Sequence, residues 1–394
     1  MNADLHLHSR YSAATSRMMN AEGLAQGARR KGVQIIGSGD ALHRMWLEEV
    51  TSGEEVAEGT YLHGETRMIL TCEVEDLNRV HHLLIFPSRS TAEEFRETVA
   101  DRSSNLDSDG RPTLHMTGDE IAEVAIDLGA LIGPCHAFTP WTSMYAYHQS
   151  MRECYRDLTD RISFLELGLS ADTDYADRIA ELQNVTFLTN SDAHSPAPLR
   201  LAREFNRFEV QDATAEEIMK AIEMTGGRRP ILNVGLPPQE GKYNESACIR
   251  CYRHYTLKEA VELGWRCPCG GKIKKGVRDR VEELATWEEP HHPDHRPPYL
   301  HLIPLAQIIA TVLKVATPTA RSVMSRWESL VEAFGDEVTV LVDTPVEDIA
   351  DVVERKIALG IQAFREGRVI YHPGGGGMYG SVEIPLAQAT LMDF

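Results

Sequence analysis

Short apolar runs alternate with amphipathic stretches over the first 235 residues of the chain. The runs with strand character lie at 3–8, 33–37, 68–74, 80–86, 130–134, 162–167, 185–190 and 206–210. Amphipathic segments between most of them predict helices. Such a strand–helix repeat predicts an α/β fold with a mostly parallel sheet, and at this length a closed (β/α) barrel is the leading expectation.

Capping residues mark where several helices begin. The predicted caps are Asn20, Thr117 with Glu120, and Thr214 with Glu217. The first of these helices should end at Gly32. Farther along the chain, Thr317-Pro318 and Thr344-Pro345 each place a cap before a proline at the first helical position, and the second of these helices should run to Gly367.

The pattern changes after residue 235, so we expect three domains. Residues 1–235 form the barrel, 236–300 a cysteine-rich module with linkers, and 301–394 a mainly helical domain. Near the end, RVIYHPGGGGMYGSVEI predicts a strand, a glycine loop and a strand. Four successive glycines lose much entropy on ordering, so the loop is expected to be mobile unless backbone must approach a ligand closely.

Composition and charge narrow the function classes. The 394 residues are 42% hydrophobic and 25% charged, and no apolar run is long enough to cross a membrane. The N-terminal residues lack a signal-peptide pattern, so we expect a cytoplasmic protein. The net charge of −19 counts against a general nucleic-acid binder but leaves room for a local basic patch.

The motif DLHLHS at residues 4–9 contains the first candidate metal ligands of the chain. Residues two apart on a strand point to the same face, so His6 and His8 project together. Two neutral imidazoles aimed at one point bind metal well. The alternative is a half-buried strand whose histidines are satisfied by ordinary hydrogen bonds.

Metal-type residues recur beside the ends of the predicted strands. They are His6, His8, Asp40, Glu73, His81, His82, His136, Asp192 and His194. Catalytic groups of barrel enzymes gather at the C-terminal strand ends. Mixed histidine and carboxylate sets suit Zn, Mn or Fe, and a carboxylate such as Glu73 can bridge two metals. Phosphoester hydrolysis is the reaction that such a set predicts.

DLHLHS, the late SDAH and the intervening Glu and His residues resemble the polymerase and histidinol phosphatase (PHP) superfamily. The resemblance implies a distorted (β/α)7 barrel with two or three catalytic divalent metals (Zn, Mn or Mg). It implies one metal on His6, His8, Glu73 and Asp192, a second on Glu73, His82 and His136, and a third with Asp40 and His194. It also implies catalytic roles for Asp192, Glu73 and His194.

One choice within this set rests on alignment alone. His82 is preferred to His81 because LLIF follows it. Neighbouring residues of a strand face opposite sides, so only one of the two can point inward.

The segment CIRCYRHYTLKEAVELGWRCPCGGKIKKG predicts a structural zinc site. Its ligands would be Cys248, Cys251, Cys267 and Cys269, with His254 able to replace one sulfur. The other cysteines, Cys72, Cys135 and Cys154, are scattered and read as buried thiols.

A basic run follows the cysteines. It contains Lys272, Lys274, Lys275, Arg278 and Arg280. Beside a zinc module on an acidic protein, this run could hold a DNA backbone, and the alternative is a solvated charged face.

The order of barrel, cysteine module, helices and PGGGGMYG resembles the endonuclease Q family, a group of PHP-superfamily repair nucleases. The resemblance implies cleavage of DNA 5′ to uracil, hypoxanthine, xanthine or an abasic site, leaving a 3′-hydroxyl and a 5′-phosphate. Candidates for the base pocket are Gly374, Gly375, Gly376, Gly377 and Tyr379, because loop backbone could offer an N–H beside a C=O. Other aromatic candidates for stacking are Trp141, Tyr145 and Trp287, for which ordinary packing is the alternative.

Other functions stay open at this stage. A PHP-type phosphatase on a small ester explains the barrel but leaves the cysteine module and tail without a role. A PHP exonuclease and a non-enzymatic binding module are further alternatives. A sliding clamp is a further candidate partner, although no clamp-binding peptide is recognisable at the C-terminus.

Overall fold

The computed structural model describes residues 1–385. The C-terminal residues 386–394, the segment that concerns the prediction about a clamp-binding peptide, lie outside the described residues. The strands are β1 Asn2–Asp4, β2 Ile35–Gly37, β3 Glu54–Ala57, β4 Thr60–His63, β5 Thr66–Ile69, β6 Thr71–Glu75, β7 His81–Ile85, β8 Leu131–Pro134, β9 Phe164–Glu166, β10 Thr186–Leu188, β11 Phe205–Glu209, β12 Arg229–Gly235, β13 Ala247–Cys248, β14 Ile273–Lys274, β15 Tyr299–His301, β16 Ile370–His372 and β17 Ser381–Glu383. The helices are α1 Ala21–Lys31, α2 Arg44–Thr51, α3 Arg89–Thr98, α4 Gly118–Asp127, α5 Met144–Tyr147, α6 Met151–Tyr155, α7 Thr173–Ala176, α8 Ala215–Ile222, α9 Leu257–Glu262, α10 Val277–Leu284, α11 Leu305–Leu313, α12 Arg321–Phe334, α13 Val346–Val352 and α14 Arg355–Arg365.

The sheets curve into a distorted barrel, which is formed by β1, β2, β5, β6, β7, β8, β9 and β10. β1, β2 and β5 pair in parallel, as do β9 and β10. A parallel bridge between Leu7 and Ala193 joins the segment after β1 to the segment after β10. The predicted α/β barrel is therefore confirmed.

The sheet is mixed rather than mostly parallel, which corrects the expectation. β7 runs antiparallel to both β6 and β8, and β11 runs antiparallel to β1 and β12. The connection 76–80 between β6 and β7 is too short for a crossover, so only an antiparallel pair can form. β15 extends the same sheet by pairing in parallel with β12. This pairing fixes on the barrel the end of residues 286–300, TWEEPHHPDHRPPYL, which form a Pro/His-rich segment.

Local capping determines several helix ends as predicted. Asn20 accepts the hydrogen bond that starts α1, and Gly32 ends it with a φ of 86°, a conformation that favours glycine. Thr117 starts α4 with a complete capping box. Thr214 caps α8, but Glu217 pairs with a neighbouring arginine and does not complete the second box.

Two predictions for the C-terminal helices were wrong in detail. α12 begins at Arg321, four residues after the Thr317 cap. The long helix expected from Thr344 to Gly367 is two helices, α13 and α14, because the backbone of Val353 is extended. The break lets Ile349 and Ile357 both pack into the apolar core of this domain.

Buried ion pairs join the three segments of the chain. Lys31 on α1 contacts Glu337 at 2.7 Å, and both side chains are buried. Asp177 holds Arg296 at 2.9 Å, and the Arg296 guanidinium lies 3.4 Å from the centroid of the Phe187 ring. The Pro/His-rich segment is thus irregular but firmly attached to the barrel. Within residues 1–385, no helix is long and apolar enough to cross a membrane.

Candidate active site and zinc module

The ends of the barrel strands bring most of the predicted metal ligands together. Three of the positions, Asp40, His136 and Asp192, have positive φ values of 51°, 30° and 47°. Such backbone is uncommon for residues with a Cβ, and it persists at sites where the surrounding structure compensates for the cost. Residue 168 packs against His136 and must be glycine, because a Cβ at position 168 would lie 2.5 Å from the Cβ of His136.

The first cluster consists of His6, His8, Glu73 and Asp192. His8 Nε2 lies 3.1 Å from Asp192 Oδ1 and 3.3 Å from Glu73 Oε2. His6 Nε2 lies 3.7 Å from Glu73 Oε1 and 3.9 Å from Asp192 Oδ1. These separations match those between ligands that surround one cation at bond lengths of about 2.1 Å.

The second cluster shares Glu73 with the first. Glu73 Oε1 lies 2.6 Å from His81 Nδ1 and 3.1 Å from His136 Nε2. These three side chains are buried and form one potential metal-binding group. Glu73 thus has the bridging position that the sequence predicts.

His82 does not take part in this cluster, and its selection over His81 is corrected. His82 Nδ1 hydrogen-bonds to the Tyr155 hydroxyl at 2.7 Å, and its Nε2 lies 3.4 Å from Asp76. The two histidines are successive residues of β7, so they occupy opposite faces. The register of β7 against β6 turns His81 inward.

His194 and Asp40 occupy different sides of His8, so they do not form a separate pair. His194 groups with His8 and Asp192, and its ring centroid lies 4.4 Å from that of His8. Asp40 Oδ1 contacts His8 Nδ1 at 3.3 Å, while Oδ2 accepts hydrogen bonds from Ser9 and Ser12. Asp40 therefore orients His8 through the ring nitrogen that faces away from the cluster.

Glu166 was missed in the sequence although it also ends a predicted strand. Its Oε2 lies 2.8 Å from His6 Nδ1 and accepts a hydrogen bond from Asn190 at 3.1 Å. A carboxylate behind a metal-ligating histidine fixes the ring orientation and raises its basicity. The position of Glu166 at a strand end was the available signal.

The electrostatics of the cluster favour a bound cation. Burial disfavours a charged His8, but Asp192, Asp40 and Glu73 outweigh it and raise the His8 pKa well above its usual value. Burial also opposes ionisation of Asp192, yet the hydrogen bond with His8 lowers the Asp192 pKa. His6 Nε2 is buried and has no hydrogen-bond partner among the residues that the structure describes. A divalent cation would replace these protons and satisfy that nitrogen.

The clusters open into a cleft of about 420 Å³. Its wall includes His81, His136 and Asp192, and the cations on its rim are Arg79, Arg111 and Lys242. Trp141, Tyr243 and Tyr379 line the same cleft. Trp141 packs edge-on against Tyr243 at 4.8 Å, and its φ of 84° is unusual for an aromatic residue.

Two of the aromatic candidates have packing roles. Tyr145 is fully buried, and its hydroxyl donates a hydrogen bond to Glu181 at 2.7 Å. Trp287 stacks on His291 with 4.4 Å between ring centroids. Trp141 and Tyr379 are the candidates that reach the cleft.

The four predicted cysteines converge in the small module. Their sulfur atoms lie within 4.8 Å of one another. Tyr255 donates its hydroxyl to Cys267 Sγ at 3.0 Å, a hydrogen bond that helps to lower the pKa of that thiol to about 6. His254 pairs with Glu245 at 2.8 Å and is not part of the group. The set fits one tetrahedral zinc ion without His254.

Three members of the basic run make contacts within the protein, and the expected role of the run in holding a DNA backbone stays a prediction. Arg280 donates to the carbonyls of Tyr145 and His148, and Arg278 pairs with Glu245. The remaining positions are Lys275, which pairs with Glu283, Lys272, which is exposed, and Lys274, which lies 4.0 Å above the Trp141 ring. Lys272 and Lys274 are therefore the members best placed to meet a ligand.

The glycine loop packs against the cysteine module, so the expectation of a mobile loop is corrected. A Cβ on Gly376 would lie 2.7 Å from the Cys248 carbonyl oxygen, and one on Gly375 would lie 2.8 Å from that of Glu245. The backbone N–H of Gly377 donates to Lys242 and that of Gly374 to Gln239. Glycine is needed here for close backbone approach, and the loop places Tyr379 in the cleft.

Comparison with known proteins gives full-length matches. The crystal structure of the novel lesion-specific endonuclease PfuEndoQ from Pyrococcus furiosus is 50% identical, with a TM-score of 0.95 and coverage of 100% of this chain and 98% of that chain. The crystal structure of endonuclease Q in complex with a 27-mer duplex substrate with an abasic lesion at the active site is also 50% identical. It has a TM-score of 0.93 and covers 100% of this chain and 99% of that chain.

Two curated relatives, both described as uncharacterised, also match. YqxK of Bacillus subtilis is 32% identical over 97% of this chain and 98% of that protein. MJ0043 of Methanocaldococcus jannaschii is 44% identical over 63% of this chain, but the match spans only 31% of that relative. Residues 304–368 match the family model of the MJ0043 C-terminal domain.

Proposed function

This chain belongs to the endonuclease Q family, and we propose on that basis that it is a DNA-repair endonuclease acting 5′ to deaminated bases and abasic sites. The deaminated bases are uracil, hypoxanthine and xanthine, and the cut leaves a 3′-hydroxyl and a 5′-phosphate. The observation that carries the proposal is the bridging position of Glu73. Its carboxylate joins His8 to His81 and His136 in one open cleft.

Divalent cations held by these residues, whether Zn, Mn or Mg, would polarise a phosphoryl oxygen, activate a water and stabilise the leaving oxygen. Glu166 and Asp40 keep His6 and His8 oriented with Nε2 toward the cleft. Asp192 is 31% exposed and lies at the open side of the cluster, where a substrate phosphate would enter. Two cations fit the two clusters, and His194 would add a ligand for a third beside His8 and Asp192.

The barrel, the cysteine module and the helical segment have different roles in binding DNA. The barrel holds the reacting phosphate, and the module, with one zinc ion on its four cysteines, presents Lys272 and Lys274 to the DNA backbone. The helices buttress the module because α14 leads into the hairpin of β16 and β17, whose glycine loop packs against it.

Lesion specificity follows from the chemistry of deamination. Deamination turns an exocyclic amine into a carbonyl acceptor and the adjacent ring nitrogen into a donor. A pocket with one N–H beside one C=O accepts uracil and hypoxanthine but leaves its own groups unpaired with cytosine or adenine, which makes rejection strong. The base must leave the stack to be read this way. Tyr243 and Tyr379 offer ring faces for it at the cleft.

The test uses a labelled duplex with one internal deoxyuridine and a matched duplex with cytosine. Wild type is compared with Asp192→Asn and with Asp101→Asn, which removes an exposed carboxylate outside the cleft. We expect one nick 5′ to the uracil in wild type and Asp101→Asn. The nick should be absent with Asp192→Asn, with cytosine and after chelation.

Other results would identify the alternatives. Turnover of a chromogenic monoester without any nick would indicate a small-ester phosphatase, and a ladder from the strand ends would indicate an exonuclease.

A DNA substrate places the protein in the compartment that holds the DNA, for which we expect the cytoplasm. Recruitment by a sliding clamp stays a prediction, to be measured by binding of the full chain to purified clamp.

A further inference from the structure

The loop 103–113 carries Arg111 into the cleft, where its side chain contacts Glu73. Arg111 Nη1 lies 3.3 Å from Glu73 Oε2, and the side chain is 33% exposed. It lines the cleft together with His81, His136 and Asp192. Among residues 1–385, no protein acceptor is hydrogen-bonded to its Nε or Nη2. The guanidinium therefore has donors available for a ligand in the cleft.

The position of Arg111 is determined by the backbone that surrounds the cluster. The N–H of the preceding residue, Gly110, donates to the Tyr11 carbonyl at 3.1 Å. A Cβ on Gly110 would lie 2.1 Å from Asp40 Oδ2, so the loop packs directly on the residue that orients His8. On its other side, the N–H of Glu75 donates to the Pro112 carbonyl at 3.0 Å. Arg111 thus leaves a loop anchored on both sides.

The charge distribution of the cleft would favour an anionic ligand next to Arg111. Glu73 is the carboxylate that contacts this guanidinium, and it also contacts four histidines of the two clusters, His6, His8, His81 and His136. With divalent cations bound, the nearby positive charge of the part-exposed Arg111 would be unfavourable unless a negative group lies between them. A phosphodiester in the cleft would supply that negative charge.

We propose that Arg111 binds a non-bridging oxygen of the scissile phosphate and stabilises the charge on it in the transition state. This inference rests on the proposed function. In the reaction, water adds to phosphorus and the bond from phosphorus to the 3′ oxygen breaks. One proton of the water passes to the leaving 3′ oxygen, the other stays on the new 5′-phosphate, and Arg111 keeps its own protons throughout. Arginine suits this role because its planar fork of N–H groups matches two phosphate oxygens, and it remains charged at any working pH.

The test compares Arg111→Ala and Arg111→Lys with wild type under single-turnover conditions. Arg102→Ala is the matched control, because Arg102 is an exposed arginine of the same region outside the cleft. Substrates carry uracil and a scissile phosphate that is either normal or one of the two phosphorothioate diastereomers. Metal content, unfolding temperature and affinity for uracil DNA in Ca²⁺ are measured for every variant.

We expect Arg111→Ala to lose about 100-fold in cleavage rate, with Arg111→Lys intermediate and Arg102→Ala unchanged. Metal content and unfolding temperature should match wild type. The rate penalty of one phosphorothioate diastereomer should shrink in Arg111→Ala, because the contact that sulfur weakens is already gone. DNA affinity in Ca²⁺ should fall far less than the rate.

Three results would overturn the proposal. They are a rate within about threefold of wild type, a rate loss that follows a loss of metal, and a phosphorothioate penalty that Arg111→Ala leaves unchanged. If wild type fails on every lesion but hydrolyses bis(p-nitrophenyl) phosphate, the proposed function fails and the variants are compared on that diester. Equal rates there would also reject the role of Arg111.

Discussion

His81 Nδ1 lies 2.6 Å from Glu73 Oε1, whereas its neighbour His82 hydrogen-bonds to Tyr155 on the opposite face of β7. Alanine substitutions of these two histidines should therefore affect different properties, cleavage for His81 and stability for His82. His81→Ala should lower cleavage at least about 100-fold with little change in stability, because a group at the reaction centre is lost. His82→Ala should cost about 2–4 kcal/mol of stability and keep cleavage per folded molecule. Denaturant unfolding and single-turnover rates check both, and loss of cleavage in a stable His82→Ala would contradict the assignment.

Glu166 should control metal affinity through His6. In Glu166→Gln the partner of His6 Nδ1 loses its charge, so divalent-metal affinity should fall about 10- to 100-fold. Titration with Mn²⁺ or Zn²⁺ measures the change, and saturating metal should restore much of the cleavage. Glu94→Gln, which alters an exposed helix residue, should bind metal like wild type.

The cysteine module should lose its metal when one thiolate is removed. Cys267→Ser should reduce zinc content by about one ion per chain and unfold the module, since four sulfurs form the site. His254→Ala is the matched control, because His254 pairs with Glu245 outside the group. Elemental analysis decides the matter, and a zinc loss in His254→Ala alone would show that the ligand set is different.

The buried pair of Lys31 and Glu337 should be important for stability. Glu337 also accepts hydrogen bonds from Leu305 and Trp327, so Lys31→Met leaves a buried charge without its cation. We expect a loss of about 3–5 kcal/mol in unfolding free energy. Arg29 lies on the same helix as Lys31 and forms an exposed pair with Glu65. Arg29→Ala breaks that pair and should cost at most about 1 kcal/mol. Equal effects in denaturant unfolding would refute the distinction.

Glu204 should make stability depend on pH. Burial raises the pKa of Glu204 to about 8, from an ordinary value of 4.5. Between these values the folded chain keeps a proton that the unfolded chain has lost, so a rise in pH through this window destabilises the fold. The slope is about 1.4 kcal/mol per pH unit for this group. Glu204→Gln removes the effect, so its stability relative to wild type should increase from pH 5 to pH 8. A difference that is constant with pH would contradict this.

Local pattern was sufficient for the elements that depend on nearby residues. The strand runs, the Asn20 and Thr117 caps and the four cysteines could be read from sequence because each follows from spacing along the chain. The same holds for His6, His8, Glu73, His136 and Asp192, which end strands at one edge of a barrel.

Long-range geometry decided the rest. Alternation along β7 shows that His81 and His82 face opposite ways, but only the pairing of β7 with β6 and β8 decides which one faces Glu73. Arg111 comes from a loop without periodicity, so nothing local predicts that it reaches the cleft.

The glycine loop and the basic run show the same division between sequence and tertiary structure. Composition alone favours a mobile loop and a free cationic surface. Contacts with residues far along the chain bury Gly375 and Gly376 and occupy Arg278 and Arg280. The sequence by itself determined the fold class and the chemical types at the site, since these follow from local spacing. Tertiary structure alone decided which side chains face one another, because that depends on packing between distant segments.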